Sequence, residues 1–414
     1  MKKIIVFLLL IAFVMEIVGI RDVNRMVENL LMHNVFAKEV DVLGANQQTG
    51  AVVLDAIHFP DKHFRAVVKD LYDKNKDNIL SEKEIKKATR LVLSDIDETE
   101  DMKSVKGIEY LTNLWKISNS NSDGISKVRT LDLRNNKKLE VLVWKFDELK
   151  KVIVGKNNKL EEINLGSNNI SKIDVSGCPN LEWLYLFDNK LKRINVKRNK
   201  KLEILDVSEN RLTKLNVKHN KKLEWLDAGI NKISKINVKK NKKLTRLDLA
   251  DNKLKKVNVS HNKKLWELGL EYNKLTKVNL SKNKKLEKLT VGNNKLKKLN
   301  VKSKKLRSLA CNHNKLRKLK ISKCKKIKEL ECRHNKLKKL KLGRFTKLKQ
   351  LDCNHNPLKQ INISRFKKMY DLDLGKTKVR YLDVRGLKKL GWLTVPKKCT
   401  VLKRRSKNLV FLRE

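Results

Sequence analysis

The chain has 414 residues, of which 98 are Lys or Arg and 45 are Asp or Glu, so its formal net charge is +53. That length exceeds the usual single globular core, yet only 4 prolines occur and no Gly/Ser-rich stretch breaks the later part of the chain, which argues against flexibly linked domains. A positive excess of this size points to polyanionic surroundings or partners and says nothing by itself about fold.

The first element in chain order is Lys2 and Lys3 followed by the apolar run Ile4 to Val14. This is the layout of a secretory signal. Small residues at the right spacing fall at Val35-Phe36-Ala37, which places cleavage after Ala37, with an uncleaved anchor as the alternative. Residues 1–37 are thus read as a signal peptide and 38–57 as a linker, with no transmembrane domain after signal cleavage.

Residues 58–106 are read as a helical cap. Within it, Asp73, Asn75, Asp77, Ile79, Ser81 and Glu84 occupy loop positions 1, 3, 5, 7, 9 and 12, with apolar Leu80 at position 8. That is the spacing of a twelve-residue calcium loop: four side-chain oxygens and the Ile79 carbonyl converge as the chain curls, and Glu84 closes the shell. Calcium is the cofactor this predicts. Phe64, Val68 and Leu71 mark an entering helix and Ile85, Ala88 and Leu91 an exiting one, while Ser81 with Glu84 forms a capping box. Asn78 stands where glycine is usual, and Asn enters the left-handed region more readily than most residues.

From Leu139 a unit of the form L-x-x-L-x-L-x-x-N-x-L recurs every 21 residues, with a single 20-residue step from Leu286 to Leu306. This is a leucine-rich repeat. One unit cannot bury its own leucines, so about 13 coils must stack into a solenoid with short parallel strands and one continuous core. The fold class is α/β: a leucine-rich repeat solenoid over 107–396, the helical calcium-loop cap before it and a C-terminal cap over 397–414. In the coil from Leu181, side-chain alternation turns Leu184 and Leu186 inward and Tyr185 and Phe187 outward. The ninth-position Asn, present in ten successive coils from Asn168 to Asn356, is read as a ladder satisfying backbone groups.

The runs His58-Phe59-Pro60-Asp61-Lys62-His63-Phe64-Arg65 and Lys106-Gly107-Ile108-Glu109-Tyr110-Leu111-Thr112-Asn113-Leu114 resemble the N-terminal module of secreted leucine-rich repeat proteins of Gram-positive bacteria. The repeats resemble the same group and, more loosely, the internalins, and the likeness spans about Phe59 to Pro396. It implies that the helical module covers the first coil, that the strand face is a binding surface, and that the protein is secreted or sits at a bacterial cell surface.

Charge is segregated by repeat position. Each of the six nine-residue strand windows from Leu160 to Leu265 is net acidic, whereas Lys190 to Lys201 contains seven basic residues and no acidic one. The outward strand positions carry Trp183, Tyr185, Phe187, Trp225, Trp266 and Tyr272 among Glu182, Asp206, Asp227 and Asp248. Clustered outward aromatics are favoured anchors in binding surfaces, so these ten residues are the expected site for a protein or glycan ligand. Arg193, Lys214, Lys235, Lys256, Lys277 and Lys298 repeat at one outer position and form the expected contact to an anionic wall polymer or host glycan. The alternative is a polyanion or nucleic-acid binder acting mainly through its lysines. Specific nucleic-acid recognition is not expected, because the aromatics are not interleaved with Lys and Arg as stacking platforms require.

The 6 cysteines do not read as a disulfide framework, since Cys311, Cys332 and Cys353 all take an interior leucine position and serve as small buried hydrophobes. Catalysis is not expected: the column Asp206, Asp227, Asp248, Asp352 and Asp373 lacks the differentiated acid and base environments that it uses. His313, His334 and His355 share one repeat position, a spacing that coil duplication alone produces. The sequence thus describes a monomeric, non-enzymatic binding solenoid.

Overall fold

The computed structural model describes residues 50–93, 96, 101–120, 126–343, 345–403 and 409–414; the signal segment and most of the linker lie outside them. Sixteen short strands form one sheet in which every neighbouring pair is parallel. The register advances by one repeat per strand, so that Leu184, Leu205, Leu226, Leu247 and Leu268 align. These leucines are at most 1% exposed while the residues on either side, buried Gly269 apart, are half-exposed, as alternation on a half-buried strand requires. The result is a parallel β-solenoid of about 14 turns of roughly 21 residues with few helices. No helix of the described residues is long and apolar enough to cross a membrane.

The ninth-position Asn column is buried, and each side chain bridges its own coil and the preceding one. Asn189 donates from Nδ2 to the carbonyls of Leu165 and Phe187, at 2.8 and 3.1 Å, and its Oδ1 accepts from the Ile170 N–H at 2.9 Å. Asn210, Asn231 and Asn252 repeat the arrangement. Each thus satisfies groups that the turn leaves without sheet partners.

A second ladder was hidden in the lysine-rich turns. Asn199, Asn220, Asn241 and Asn262 are 0% exposed, and each Nδ2 donates to two carbonyls of the preceding coils, as Asn241 does to Val217 and Asn220 at 2.9 and 2.8 Å. Cys178 fills the same place in one coil. In the 20-residue coil the place belongs to Ser303, whose hydroxyl donates toward the carbonyls of Lys284 and Leu286. Beyond it the place passes to buried Cys324, Phe345 and Phe366.

One residue per coil, from Phe146 through Asp188, Ile230 and Tyr272 to Lys376, has a φ near 50°. Bonds between coils fix this left-handed turn: the N–H groups of Asp188 and Asn189 reach the carbonyls of Ser208 and Glu209. Ile230 holds it despite its branched side chain, which costs roughly 1 kcal/mol or more.

The helical cap departs from expectation in three ways. Val52–Val53, read as linker, pairs antiparallel with Ile79–Leu80 of the calcium-type loop. The entering helix α1 spans Lys62–Tyr72 as expected, but the exiting helix α2 covers only Glu82–Lys87 and ends at Ala88. Leu91, expected on α2, instead lies in the strand Arg90–Val92, which pairs with Lys116–Asn119 and forms the outer edge of the solenoid sheet. Asp61 caps α1 through the N–H groups of His63 and Phe64 and also accepts from those of Lys103 and Ser104, fastening the helix to the chain that enters the first coil. At the other end, Val410–Arg413, expected in the C-terminal cap, adds one more parallel strand beside Trp392–Val395 and so extends the sheet.

Candidate ligand face and calcium-type loop

The ten residues expected on the strand face fall into distinct columns. Tyr185, Asp206, Asp227 and Asp248 are aligned partners on four successive strands. Two residues earlier, Trp183, Ile204, Trp225, Arg246 and Glu267 form a parallel column. Glu182 and Trp266 lie just before their strands and make one rim. Phe187 follows its strand and lies over Gly166, where an added Cβ would stand 2.2 Å from the Phe187 ring. Tyr272 sits apart from the central cluster, at the left-handed turn position on the opposite rim, and is 58% exposed.

Contacts tie the centre together. The Tyr185 and Trp225 rings meet edge-to-face with centroids 6.4 Å apart, a favoured aromatic geometry. The Arg246 guanidinium lies 4.5 Å from the Trp225 centroid and 5.7 Å from that of Trp266, and its Nε is 2.9 Å from the Glu267 carboxylate. Residue-by-residue reading missed Arg246, a basic residue in an acidic window; comparing its column neighbours Trp225 and Glu267 was the available signal.

The aspartates are electrostatically uncomfortable. Burial pushes the Asp227 carboxyl up to about 7, with Asp206 and Asp248 adding repulsion on either side. Asp206 is raised for the same first reason, burial. In each, Oδ1 is bound locally: Asp206 by the N–H and hydroxyl of Ser208, Asp227 by the Gly229 N–H, Asp248 by the Ala250 N–H. Along the rim the backbone links Glu140, Glu161, Glu182, Glu203 and Glu224 in sequence, each N–H donating to the preceding glutamate's carbonyl.

On the connecting face, Arg193, Lys214, Lys235, Lys256, Lys277 and Lys298 are all exposed. Lys298 is the aligned partner of Lys318 in a short parallel pair, so the column continues past the six expected cations. A groove of ≈ 670 Å³ runs along it, floored by half-buried Ile236, Val257 and Val278 and railed by Lys235, Lys256 and Lys277.

In the calcium-type loop, Asn78 takes the left-handed conformation expected of it, at φ 61°. Asp73 is buried; its Oδ2 accepts from the Asn78 N–H at 3.0 Å, while Oδ1 has no partner. That orphaned oxygen fits a cation. The rest of the donor set is turned to other work: Glu84 accepts from Ser81 N, Ser81 Oγ and Lys74 N at 2.9, 2.6 and 2.9 Å, and Asn75 donates to Asp77. The Ser81 hydroxyl is the first cause holding the Glu84 carboxyl below its usual range. Among the described residues, no three His, Cys, Asp or Glu side chains are grouped to hold a metal ion. This includes His313, His334 and His355, which stack face to face with centroids 4.3 and 3.9 Å apart.

Comparison with known proteins follows the same lines. A leucine-rich repeat family model matches residues 156–176 and 240–257, and no curated protein matches the chain. The functional domain of InlJ from Listeria monocytogenes, a structure described as including a cysteine ladder, superposes with a TM-score of 0.76 at 28% identity, covering 85% of this chain and 76% of that one. Here Cys311, Cys332 and Cys353 are buried free thiols, each directly after one of three successive strands. The internalin InlF of L. monocytogenes superposes with a TM-score of 0.59 at 18% identity, covering 87% and 97%. A plant peptide hormone receptor, RGFR1 in complex with RGF2, gives 0.59 at 19% identity, covering 73% and 57%. The chain has the leucine-rich repeat fold, with structural similarity to the Listeria internalins InlJ and InlF.

Proposed function

We propose that this chain is a secreted or surface-held binding protein whose ligand, a protein or glycan, sits on the strand face around Trp183, Tyr185, Trp225, Asp206 and Asp227. The observation that carries this reading is the cost of the patch. Desolvated aspartates aligned on adjacent strands lower the stability of the fold, and half-exposed aromatics gain little from the core. Surfaces that cost stability are characteristic of functional sites. Solved structures that share this fold include a plant peptide hormone receptor, RGFR1, in complex with RGF2. Replacing Trp183 or Trp225 by Ala should cost roughly 2 to 4 kcal/mol each in binding with the fold intact. Capture of partners by the wild-type chain and the double variant checks this, and equal capture would move the site elsewhere.

The connecting face supports a second contact, to an anionic wall polymer or host glycan along the lysine-railed groove. Binding there should be weakly selective and fall steeply with salt, since ion release supplies much of the free energy. Changing Lys214, Lys235, Lys256, Lys277 and Lys298 to Gln should weaken retention on teichoic acid or heparin-like glycan and flatten the salt dependence. Failure of the wild type to bind either polymer, or DNA, in low salt would leave the lysines a solubilising surface only.

For the cap, we propose that calcium binds the Asp73–Glu84 loop with an affinity reduced by competition, because Glu84 must release Ser81 and Lys74 to turn inward. Extracellular modules of this kind work in the range of about 10⁻⁴ to 10⁻³ M. Calcium should raise the melting temperature by linkage, and Glu84→Ala should remove that increment. Because Glu84→Ala also breaks the capping box, Asp73→Asn serves as the gentler companion. An unchanged melting profile in millimolar calcium and in chelator would rule the site out.

A further inference from the structure

We infer that the strand face takes an extended protein segment bearing cationic side chains, with one guanidinium or ammonium seated against Tyr185 and Trp225 beside Asp206 and Asp227. This rests on the reading of the strand face as the ligand surface and goes on to name the ligand's chemistry.

Three observations favour a cation. The chain already holds one next door: Arg246 lies against Trp225 and Trp266 and is paired with Glu267. Rings plus a carboxylate are the environment that binds a guanidinium best, through cation–π attraction and charge together. On the other flank of Trp225 the same ingredients recur in Tyr185, Asp206 and Asp227, where Arg246 acts on Asp227 by its charge but makes no ion pair with it among the described residues. Second, in a chain where 98 of 414 residues are Lys or Arg, the four strand windows starting at Leu160, Leu181, Leu202 and Leu223 contain none. Third, the Oδ2 atoms of Asp206, Asp227 and Asp248 have no donor among the described residues, and of the rim glutamates Glu161, Glu182, Glu203 and Glu224 only the last has a cation nearby, Lys243 at 4.0 Å. These free oxygens call for charged donors. A neutral glycan would stack on the rings but leave the carboxylate charges uncompensated.

The +53 net charge is unevenly placed around this patch. The column Arg193, Lys214, Lys235, Lys256, Lys277 and Lys298 lies on the connecting face, whereas the lysine pairs that precede each strand, such as Lys242 and Lys243, border the rim glutamates and leave the central Tyr185, Asp206 and Asp227 cluster without an ion pair among the described residues. An extended segment also fits the spacing: same-side residues four apart reach about 13.5 Å, and three coils span about 14.4 Å. Side chains at positions i and i+4 therefore match the rim carboxylates of Glu161 and Glu224, three coils apart.

The probe is a short peptide alternating Arg and Ser, titrated into the full chain and followed by tryptophan fluorescence. Its Gln-for-Arg analogue and a neutral N-acetylglucosamine oligosaccharide are run alongside. The Arg peptide should bind and the Gln analogue should not, and Trp225→Ala and Asp227→Asn should each weaken binding about tenfold. Arg246→Gln should tighten binding several-fold more than Lys288→Gln. Both remove one positive charge beside Glu267, but only Arg246 contacts the rings. Absence of binding in low salt, indifference to Trp225→Ala, or equal effects of the two charge variants would overturn the proposal. Trp225-dependent binding of the neutral oligosaccharide alone would also overturn it, while leaving the strand face as the ligand surface.

Discussion

Replacing Asn231 by Leu is expected to lower the stability of the solenoid by about 3 to 5 kcal/mol, because three buried backbone groups lose their partners at once. The Asn231 Oδ1 accepts from the Leu212 N–H at 2.8 Å, and its Nδ2 donates to the Val207 and Gly229 carbonyls, both at 2.9 Å. Leucine is similar in volume, so the loss is polar and not a cavity. Asn241→Leu, in the second ladder, removes bonds to two carbonyls while the Asn241 Oδ1 has no partner to lose, and should cost less, about 2 to 3 kcal/mol. Denaturant unfolding of both variants measures the order. In a stack of coils stabilised by nearest-neighbour contacts, the Asn231 variant should also open first near its own coil, which amide hydrogen exchange will locate. A larger cost at Asn241 would mean that the two ladders have been assigned the wrong weights.

The second large effect is a pH dependence. Asp227 has its carboxyl raised to about 7 in the folded chain, against an ordinary value of 3.8. A group raised on folding binds its proton more tightly in the native state, so its ionisation destabilises the fold: stability is fully present below about pH 4 and is lost as pH rises through 7. At 1.36 kcal/mol per unit the window is worth on the order of 2 to 4 kcal/mol. Asp352, raised to about 6 by burial, acts in the same direction. Carboxylates lowered by partners, such as Asp383 at about 2 beside Arg385, have the opposite sign but lose their contribution only in stronger acid. Between pH 8 and 5 the strand-face aspartates should therefore dominate the difference between wild type and Asp227→Asn, with the variant more stable at pH 8 and the two converging toward pH 5. Melting both proteins across that range is the check, and parallel curves would show that Asp227 ionises normally.

The period carried most of the architecture in the sequence, because each coil must place leucines at fixed positions to share one core. The ninth-position Asn was legible for the same reason: a polar residue held at one place in ten coils needs a backbone to satisfy. The second ladder was not, since Asn199 and its counterparts lie among lysines and read as turn surface, though they are wholly buried. Nor was the left-handed column. Its occupants range from Asp188 to Ile230 to His334, so no residue type announces a turn imposed by bonds between coils. Leu91 has helical spacing after Ala88, yet pairing beside Ile117 at the sheet edge outweighs that local pattern. The aromatic and acidic residues of the strand face were readable one by one. What held them in relation, the Arg246 stack, became visible only with strands in register.

The 20-residue coil from Leu286 to Lys305 acquires a meaning from what changes across it. Before it lie the strand windows without a basic residue and the turn ladder of asparagines; after it come the cysteine positions 311, 332 and 353, the stacked histidines and the phenylalanines Phe345 and Phe366. The irregular unit therefore separates two blocks of coils that place different side chains at the same repeat positions, so the strand face before it is chemically distinct from the one after it.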